Sequence, residues 1–230
     1  MYARGFAGMT FSQRVVILFF KVLTRIICRI HDEPLAEVPH HGPLILVTNH
    51  TNILEVPLVY AALQPRPIGG FSAAKRWKVW WSRWLLNIAG AIPLHRGEAD
   101  VNAMRKGLEW LNRGNILIIA PEGTRSYDGR LQRGRPGVVL LAMRTGAPIL
   151  PLVFYGHEGF EENLKHFRRT DFYLSVGEPF YLNTKGEKVT QELRQKITDE
   201  VMYKMAALLP PENRGIYSDL EKATEKYLRG

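Results

Sequence analysis

Two short segments of this 230-residue chain carry residue types at spacings that could do chemistry. The first is NHTNILE, residues 49–55, directly after the apolar run LILVT at 44–48. That run reads as a buried strand, and open α/β sheets place their ligands at the carboxyl ends of strands. His50 and Glu55 are five residues apart, which on one continuous helix would turn their side chains about 140° from each other. Across a strand–turn–helix junction the chain doubles back, and the carboxylate can reach the imidazole. A carboxylate at one ring nitrogen fixes the tautomer, stabilises the imidazolium and leaves the other nitrogen as a general base. A satisfied structural pair would show the same spacing.

The second segment is PEGTRS, residues 121–126, after the strand-like NILII at 115–119. Gly123 frees the backbone for a tight turn, and Arg125 offers a bidentate fork to a phosphate or carboxylate. Glu122 can hold that arginine in place. Arg96 follows the run AIPL at 91–94 and could join it from another strand end. Arginines at several strand ends near a histidine base suit a phosphorylated alcohol; a solvated salt-bridge cluster is the plainer reading.

Several other chemistries are absent. No GxxxxGK[ST] loop, HExxH or EF-hand pattern occurs. Gly70-Phe71-Ser72 starts like a nucleophile elbow, but Ala73 and Ala74 follow where its last glycine belongs. His40 and His41 sit in a loop and read as surface residues. The only cysteine, Cys28, excludes an intrachain disulfide and a multi-cysteine metal site. Neither a metal nor a cofactor is therefore expected, and a cytosol-facing protein is the simplest reading.

The elements that must position these residues alternate. Strand candidates are 44–48, 67–73, 91–94, 115–119, 148–155 and 171–177. Helices fall at 55–63, near 77–88, 98–113 and 137–145, and at 187–209 before Pro210-Pro211. A charged helix is expected at the C-terminus. The pattern predicts an α/β fold, a central mixed sheet flanked by helices. With 46% apolar and 23% charged residues the chain fits neither disorder nor a coiled coil. Residues 1–31 form a predicted N-terminal amphipathic segment and 32–230 the α/β domain.

Charge and aromatics are unevenly spread. Lys and Arg total 31 against 22 Asp and Glu, a net +9 that favours an anionic partner. Residues 1–31 hold Arg4, Arg14, Lys21, Arg25 and Arg29 and, before Asp32, no acid. The segment 15–30 is too interrupted to span a bilayer, which needs about 20 predominantly apolar residues, and no small-residue cleavage site marks a signal peptide. On a helix, Val15, Phe19, Leu23, Ile26 and Ile30 share one side, with Arg14, Lys21, Thr24, Arg25 and Cys28 opposite. A wide apolar face against a basic one suits a helix lying in the membrane interface. Trp77, Trp80, Trp81 and Trp84, four of the five tryptophans, fall on one helical face among Lys75, Arg76, Lys78 and Arg83. Tryptophan favours the headgroup level, and basic side chains snorkel to anionic phosphates. An aromatic core stripe, or base stacking in a nucleic-acid-binding module, would use the same residues.

Taken in order, four blocks resemble the glycerolipid acyltransferase family that includes the 1-acyl-glycerol-3-phosphate acyltransferases: NHTNILE (49–55), GAIPLHRG (90–97), APEGTRS (120–126) and APILPLV (147–153). Two positions depart from that pattern: Glu55 stands where the family usually has aspartate, and Asn52 where it often has serine. The resemblance implies transfer of a fatty acyl group from acyl-CoA or acyl carrier protein to a lysophospholipid hydroxyl, most simply 1-acyl-glycerol-3-phosphate. A lyso-ornithine lipid, a glycolipid or a carotenoid glycoside are the other acceptors it admits. It implies His50 as base, Glu55 as its orienter, and the Gly123–Thr124 turn as a source of oxyanion donors. Arg96 and Arg125, with Lys75 as a further candidate, would grip the acceptor phosphate. It also implies a peripheral, monotopic enzyme on the cytoplasmic face of a membrane, in the simplest case the bacterial inner membrane, held to the anionic surface by its N-terminal and Trp-rich helices and binding no nucleic acid.

Overall fold

The computed structural model describes residues 10–52, 54–95 and 100–230. In chain order its elements are α1 (Phe11–Ile27), β1 (Cys28–His31), β2 (Leu44–Val47), α2 (Glu55–Ala62), β3 (Ile68–Ala73), α3 (Trp80–Ile88), β4 (Ala91–Leu94), α4 (Val101–Asn112) and β5 (Ile116–Ile119). They continue with α5 (Gly137–Thr145), β6 (Ile149–Tyr155), α6 (Phe160–Lys165), β7 (Thr170–Val176), β8 (Tyr181–Leu182), α7 (Gln191–Leu208) and β9 (Leu228–Arg229).

Seven strands form one mixed sheet in the order β1-β7-β6-β2-β5-β3-β4. From β6 to β4 all neighbours are parallel; β7 runs antiparallel to β6 and carries β1 parallel to itself. The α/β reading and the mixed sheet expected from the sequence are thus observed. β2 lies between β5 and β6 and is buried on both faces, which explains its unbroken apolar sequence. Its pleat divides it: Leu44 and Leu46 join the core under α1 and α2, whereas Ile45 and Val47 join the core under α4, α5 and α7. The chain leaves β2 through α2 on one face and β5 through α5 on the other. The crevice between the carboxyl ends of β2 and β5 is therefore a topological switch point, where such sheets bind ligands.

The N-terminal helix starts at a capping box, Thr10 and Gln13 exchanging hydrogen bonds with each other's backbone. It ends at Ile27, earlier than the 15–30 pattern suggests, because Cys28–His31 pair in register with Thr170–Tyr173. Val16, Ile17 and Thr24 face the core. Thr24, expected on the basic face, is buried by bonding its own hydroxyl to the Phe20 carbonyl (2.7 Å), and Cys28 is buried as well. Phe11, Val15, Leu18, Phe19, Val22 and Ile26 are exposed. Among the described residues no helix is long and apolar enough to cross a membrane.

Two further expectations change. Trp77 lies in a separate 3-10 turn, Ala74–Lys78, and donates its Nε1–H to Asn87 Oδ1 (3.0 Å), so α3 carries only Trp80, Trp81 and Trp84. All three are exposed, and the aromatic stripe is not core. The C-terminal segment is not a helix: it forms three 3-10 turns and then β9, which pairs with β8. Glu200 of α7 holds that segment by accepting from the Thr224 hydroxyl and the Lys226 and Tyr227 N–H groups.

Candidate active site

The site assembles at the carboxyl ends of β2, β5 and β6. Where β2 ends, Asn49 takes over the sheet's hydrogen bonding with its side chain. Its Nδ2 donates to the Phe154 carbonyl and its Oδ1 accepts from the Phe154 N–H, both at 2.8 Å. That double bond anchors the strand exit to β6 and turns the next residue, His50, into the crevice. The His50 backbone is gripped from the β5 side as well. Its N–H donates to Glu122 Oε1 (3.1 Å) and its carbonyl accepts from the Ser126 N–H (2.8 Å).

His50 Nδ1 lies 2.9 Å from Glu55 Oε2. The imidazole is 23% exposed and the carboxylate 2%, so the outer nitrogen, Nε2, is the one a substrate can meet. The other carboxylate oxygen, Glu55 Oε1, accepts from the Thr51 N–H (2.8 Å), the Thr51 hydroxyl (2.6 Å) and the Asn52 N–H (2.7 Å). These donors belong to the turn that joins β2 to α2, so Glu55, the first residue of α2, ties that turn back onto its own helix, and the carboxylate sits at the helix's positive end. Burial pushes the Glu55 carboxyl up, but hydrogen bonds from His157, His50 and Thr51 and the charge of His50 outweigh it and hold it down at about 2. A carboxylate that stays ionised keeps the imidazole proton on Nδ1 and leaves the Nε2 lone pair outward.

Within the EGTRS block, Glu122 has partners other than the one expected for it. Glu122 does not pair with Arg125; its two oxygens accept from the His50 and Gln132 N–H groups (3.1 and 3.0 Å). It is a buried brace between β2 and the 131–135 segment. Burial pushes its carboxyl up to about 7, opposed by those two N–H groups and reinforced by the charges of Glu55 and Asp128. Gly123 has φ +72°, a conformation glycine adopts without strain, and its N–H closes the turn on the Ala120 carbonyl (3.0 Å). That commitment removes Gly123 from the expected oxyanion donors and leaves Thr124 of the pair. Arg125 Nε is buried without a hydrogen-bond partner, and its guanidinium forms no ion pair among the described residues.

Lys75 is exposed in the 3-10 turn after β3, at the same end of the sheet, and makes no hydrogen bond or ion pair with the His50 cluster among the described residues. Arg96, expected in the site, lies outside the described residues. The sequence reading missed Asn49, Thr51, Gln132 and Arg135. Arg135 donates its N–H to the Pro121 carbonyl (2.8 Å), and its side chain lies so close to Gly123 that a Cβ there would come within 3.0 Å of its Cδ and Nε. It also missed His157, whose only sequence signal is its place just past the strand PILPLVFY.

Residues 29–155 match the family model described as Acyltransferase, a span that covers more than half of the chain and includes His50, Glu55 and the EGTRS block. The chain belongs to the acyltransferase family. Among similar members of this acyltransferase family, a chloroplast 1-acyl-sn-glycerol-3-phosphate acyltransferase of Brassica napus is 26% identical over 166 residues, 69% of this chain and 46% of that protein. A lyso-ornithine lipid O-acyltransferase of Pseudomonas aeruginosa is 28% identical over 135 residues, 58% of this chain and 51% of that protein. The chain thus spans about half the length of these curated relatives. The crystal structure of the 1-acyl-sn-glycerophosphate acyltransferase PlsC of Thermotoga maritima shares the fold, with a TM-score of 0.62 at 23% identity, covering 85% of this chain and 78% of that one.

Proposed function

We propose that this protein transfers a fatty acyl group from an acyl thioester, acyl-CoA or acyl carrier protein, to the hydroxyl of a lysophospholipid at the surface of a membrane. The observation that carries the reading is the His50–Glu55 pair at 2.9 Å, placed at the switch point with Nε2 outward. In the proposed step the acceptor hydroxyl oxygen attacks the thioester carbonyl carbon while His50 Nε2 takes its proton. The tetrahedral intermediate then collapses, the C–S bond breaks, and the imidazolium returns the proton to the leaving thiolate. Glu55 remains ionised throughout and stabilises the imidazolium. No residue is acylated, which agrees with the absence of a nucleophile elbow.

Arg125, with its unpaired guanidinium beside the EGTRS turn, is the group for an acceptor phosphate. The simplest acceptor is 1-acyl-glycerol-3-phosphate, the acceptor after which several relatives are named. A second reading, a lyso-ornithine lipid, is favoured by one particular: the Pseudomonas relative named for that acceptor is as similar to this chain as the lysophosphatidate enzymes are. The exposed apolar stripe of α1 and the three exposed tryptophans of α3 support seating on a lipid surface, with the exposed Lys21 and Arg83 beside them for headgroup phosphates.

The test is a transfer assay with acyl-CoA and acyl carrier protein donors against lysophosphatidate, glycerol-3-phosphate and lyso-ornithine lipid. Turnover with lysophosphatidate that disappears in His50→Ala supports the reading. Wild-type turnover in a purified, folded His50→Ala protein overturns it.

A further inference from the structure

A second histidine reaches the same carboxylate from the opposite side. His157 follows β6, 107 positions beyond His50 in the chain, and its side chain is 2% exposed. Its ring stacks on Phe172 of β7, with centroids 4.4 Å apart and planes 26° apart. Its Nε2 lies 2.6 Å from Thr51 Oγ1 and 3.4 Å from Glu55 Oε1. The placement of hydrogens follows from chemistry. Ionised Glu55 can only accept, so the 2.6 Å contact between the Thr51 hydroxyl and Glu55 uses the single hydroxyl proton. The Thr51 oxygen must then accept from its other neighbour, and His157 carries its proton on Nε2. One directed chain results: His157 Nε2–H to Thr51 Oγ1, Thr51 O–H to Glu55 Oε1, and His50 Nδ1–H to Glu55 Oε2.

We propose that Thr51 and His157 are positioning residues that lock Glu55, so that one oxygen is held by this arm and the other is presented to the base. The inference rests on the reading of His50 as the base. A glutamate has one more rotatable bond than an aspartate and loses more freedom on being fixed. Here the donors at Oε1 come from the turn itself, and His157 ties that turn to β6 and through Phe172 to β7. The arm also sets the strength of the base. Each donor at Oε1 withdraws negative charge from Glu55 and so limits how strongly it stabilises the His50 imidazolium. The titratable groups facing Glu55 are His50 from the end of β2, His157 from the end of β6 and, through space, Glu122 from the end of β5. No other strand end brings one to it among the described residues.

The experiment measures kcat, acceptor KM and the pH profile of kcat for Thr51→Val, Thr51→Ser and His157→Gln, with His50→Ala alongside. Thr51→Val keeps the backbone N–H and side-chain volume and removes only the hydroxyl link. We expect kcat to fall about tenfold to a hundredfold in Thr51→Val, the range that orienting partners of ligand histidines show, and by less in His157→Gln, whose amide N–H can still donate to Thr51, with acceptor KM changed less than about threefold. The acid limb should move to higher pH, because a less solvated Glu55 carboxylate raises the proton affinity of His50. Thr51→Ser should restore both kcat and the limb. Folded Thr51→Val with wild-type kcat and an unmoved limb overturns the positioning role, and so does a loss of kcat that Thr51→Ser fails to recover. Should His157→Gln not fold, the two Thr51 variants still decide. An active His50→Ala protein would instead overturn the underlying reading.

Discussion

The surroundings of Glu55 and the outer faces of α1 and α3 handle burial in opposite ways. Glu55 and Glu122 are both 2% exposed or less as residues, yet each oxygen has its donors. A carboxyl group is expensive to bury, and the chain commits the backbone N–H groups of His50, Thr51 and Asn52 after β2 and of Gln132 in the 131–135 segment to keep these two in place. Along α1 and α3 the molecule leaves Phe19, Leu18, Trp80 and Trp81 in the open, although burying one such side chain is worth about 1.5–3 kcal/mol. The contrast teaches where each part finds its partner. The polar cluster completes itself inside the fold, whereas the apolar faces find no covering partner among the described residues, the place that the proposed lipid surface would take.

The largest way to break this comparison is at the base. His50→Ala should lower turnover about 10²–10⁴-fold in a protein that still folds, because the His50 backbone keeps its bonds to Glu122 and Ser126. The urea midpoint should fall, since the ring's bond to the buried Glu55 carboxylate is lost. The two carboxylates come next and have opposite signs. The raised Glu122 carboxyl binds a proton more tightly folded than unfolded, so its contribution to stability falls as pH rises from about 4.5 to about 7. The lowered Glu55 carboxyl contributes above about 4.5, and that contribution disappears as pH falls towards about 2. Urea unfolding across pH should therefore show the upper slope flattened in Glu122→Gln and the acid slope flattened in Glu55→Gln, each by on the order of 2 kcal/mol over its window. The same slopes in both variants as in wild type would remove the distinction between them.

Smaller effects sharpen the comparison. Arg125→Ala should raise KM for a phosphate-bearing acceptor about tenfold to a hundredfold, the loss of charge-assisted hydrogen bonds, and change it little for a phosphate-free lysolipid. A kcat loss that saturating acceptor fails to repair would place Arg125 elsewhere in the reaction. On the apolar side, Leu18→Ser with Phe19→Ser should weaken co-sedimentation with anionic vesicles about tenfold or more, while residual binding weakens as salt rises. Point substitutions are the right probe, because deleting α1 would also strip Val16 and Ile17 from the core. The smallest expected change is in stability. The same pair should move the unfolding free energy by less than about 0.5 kcal/mol, whereas Ile17→Ala, 2% exposed, should cost about 2–5 kcal/mol.

Much of this was legible in the sequence where local pattern and tertiary role agree. LILVT and PILPLVFY read as strands because strands buried on both faces are continuously apolar. AIPL at the sheet edge reads as one from its short apolar run, and GVVLLAMRT at 137–145 reads as a helix and is one. The pattern failed where a long-range partner overrode it. Cys28–His31 continue a helical period but lie opposite Thr170–Tyr173 and become strand. The charged C-terminal segment is held by Glu200 instead of coiling into a helix. In the site, the His50–Glu55 pair was legible because both members lie in one turn. The role of Glu122 was not, because its partners are the backbones of His50 and Gln132, and backbone partners leave no trace in residue spacing.

What the sequence determined by itself was therefore which residues are candidates for chemistry and where apolar and basic side chains cluster. These are a histidine with a carboxylate five residues on, an arginine in a glycine turn, an apolar-basic N-terminal helix and a Trp-rich basic segment. Those features depend on residue type and on contacts within a few positions. Only the tertiary structure decided which groups converge. Pairing β2 with β5 and β6 brings residues 72 to 106 positions apart into contact at one carboxyl end. That convergence makes Glu122 a brace and not an arginine partner, commits the Gly123 N–H to its own turn, and places His157 against Thr51. The physical reason is the parallel sheet itself: its strands pair at large sequence separation, so their ends meet only after the whole sheet has formed.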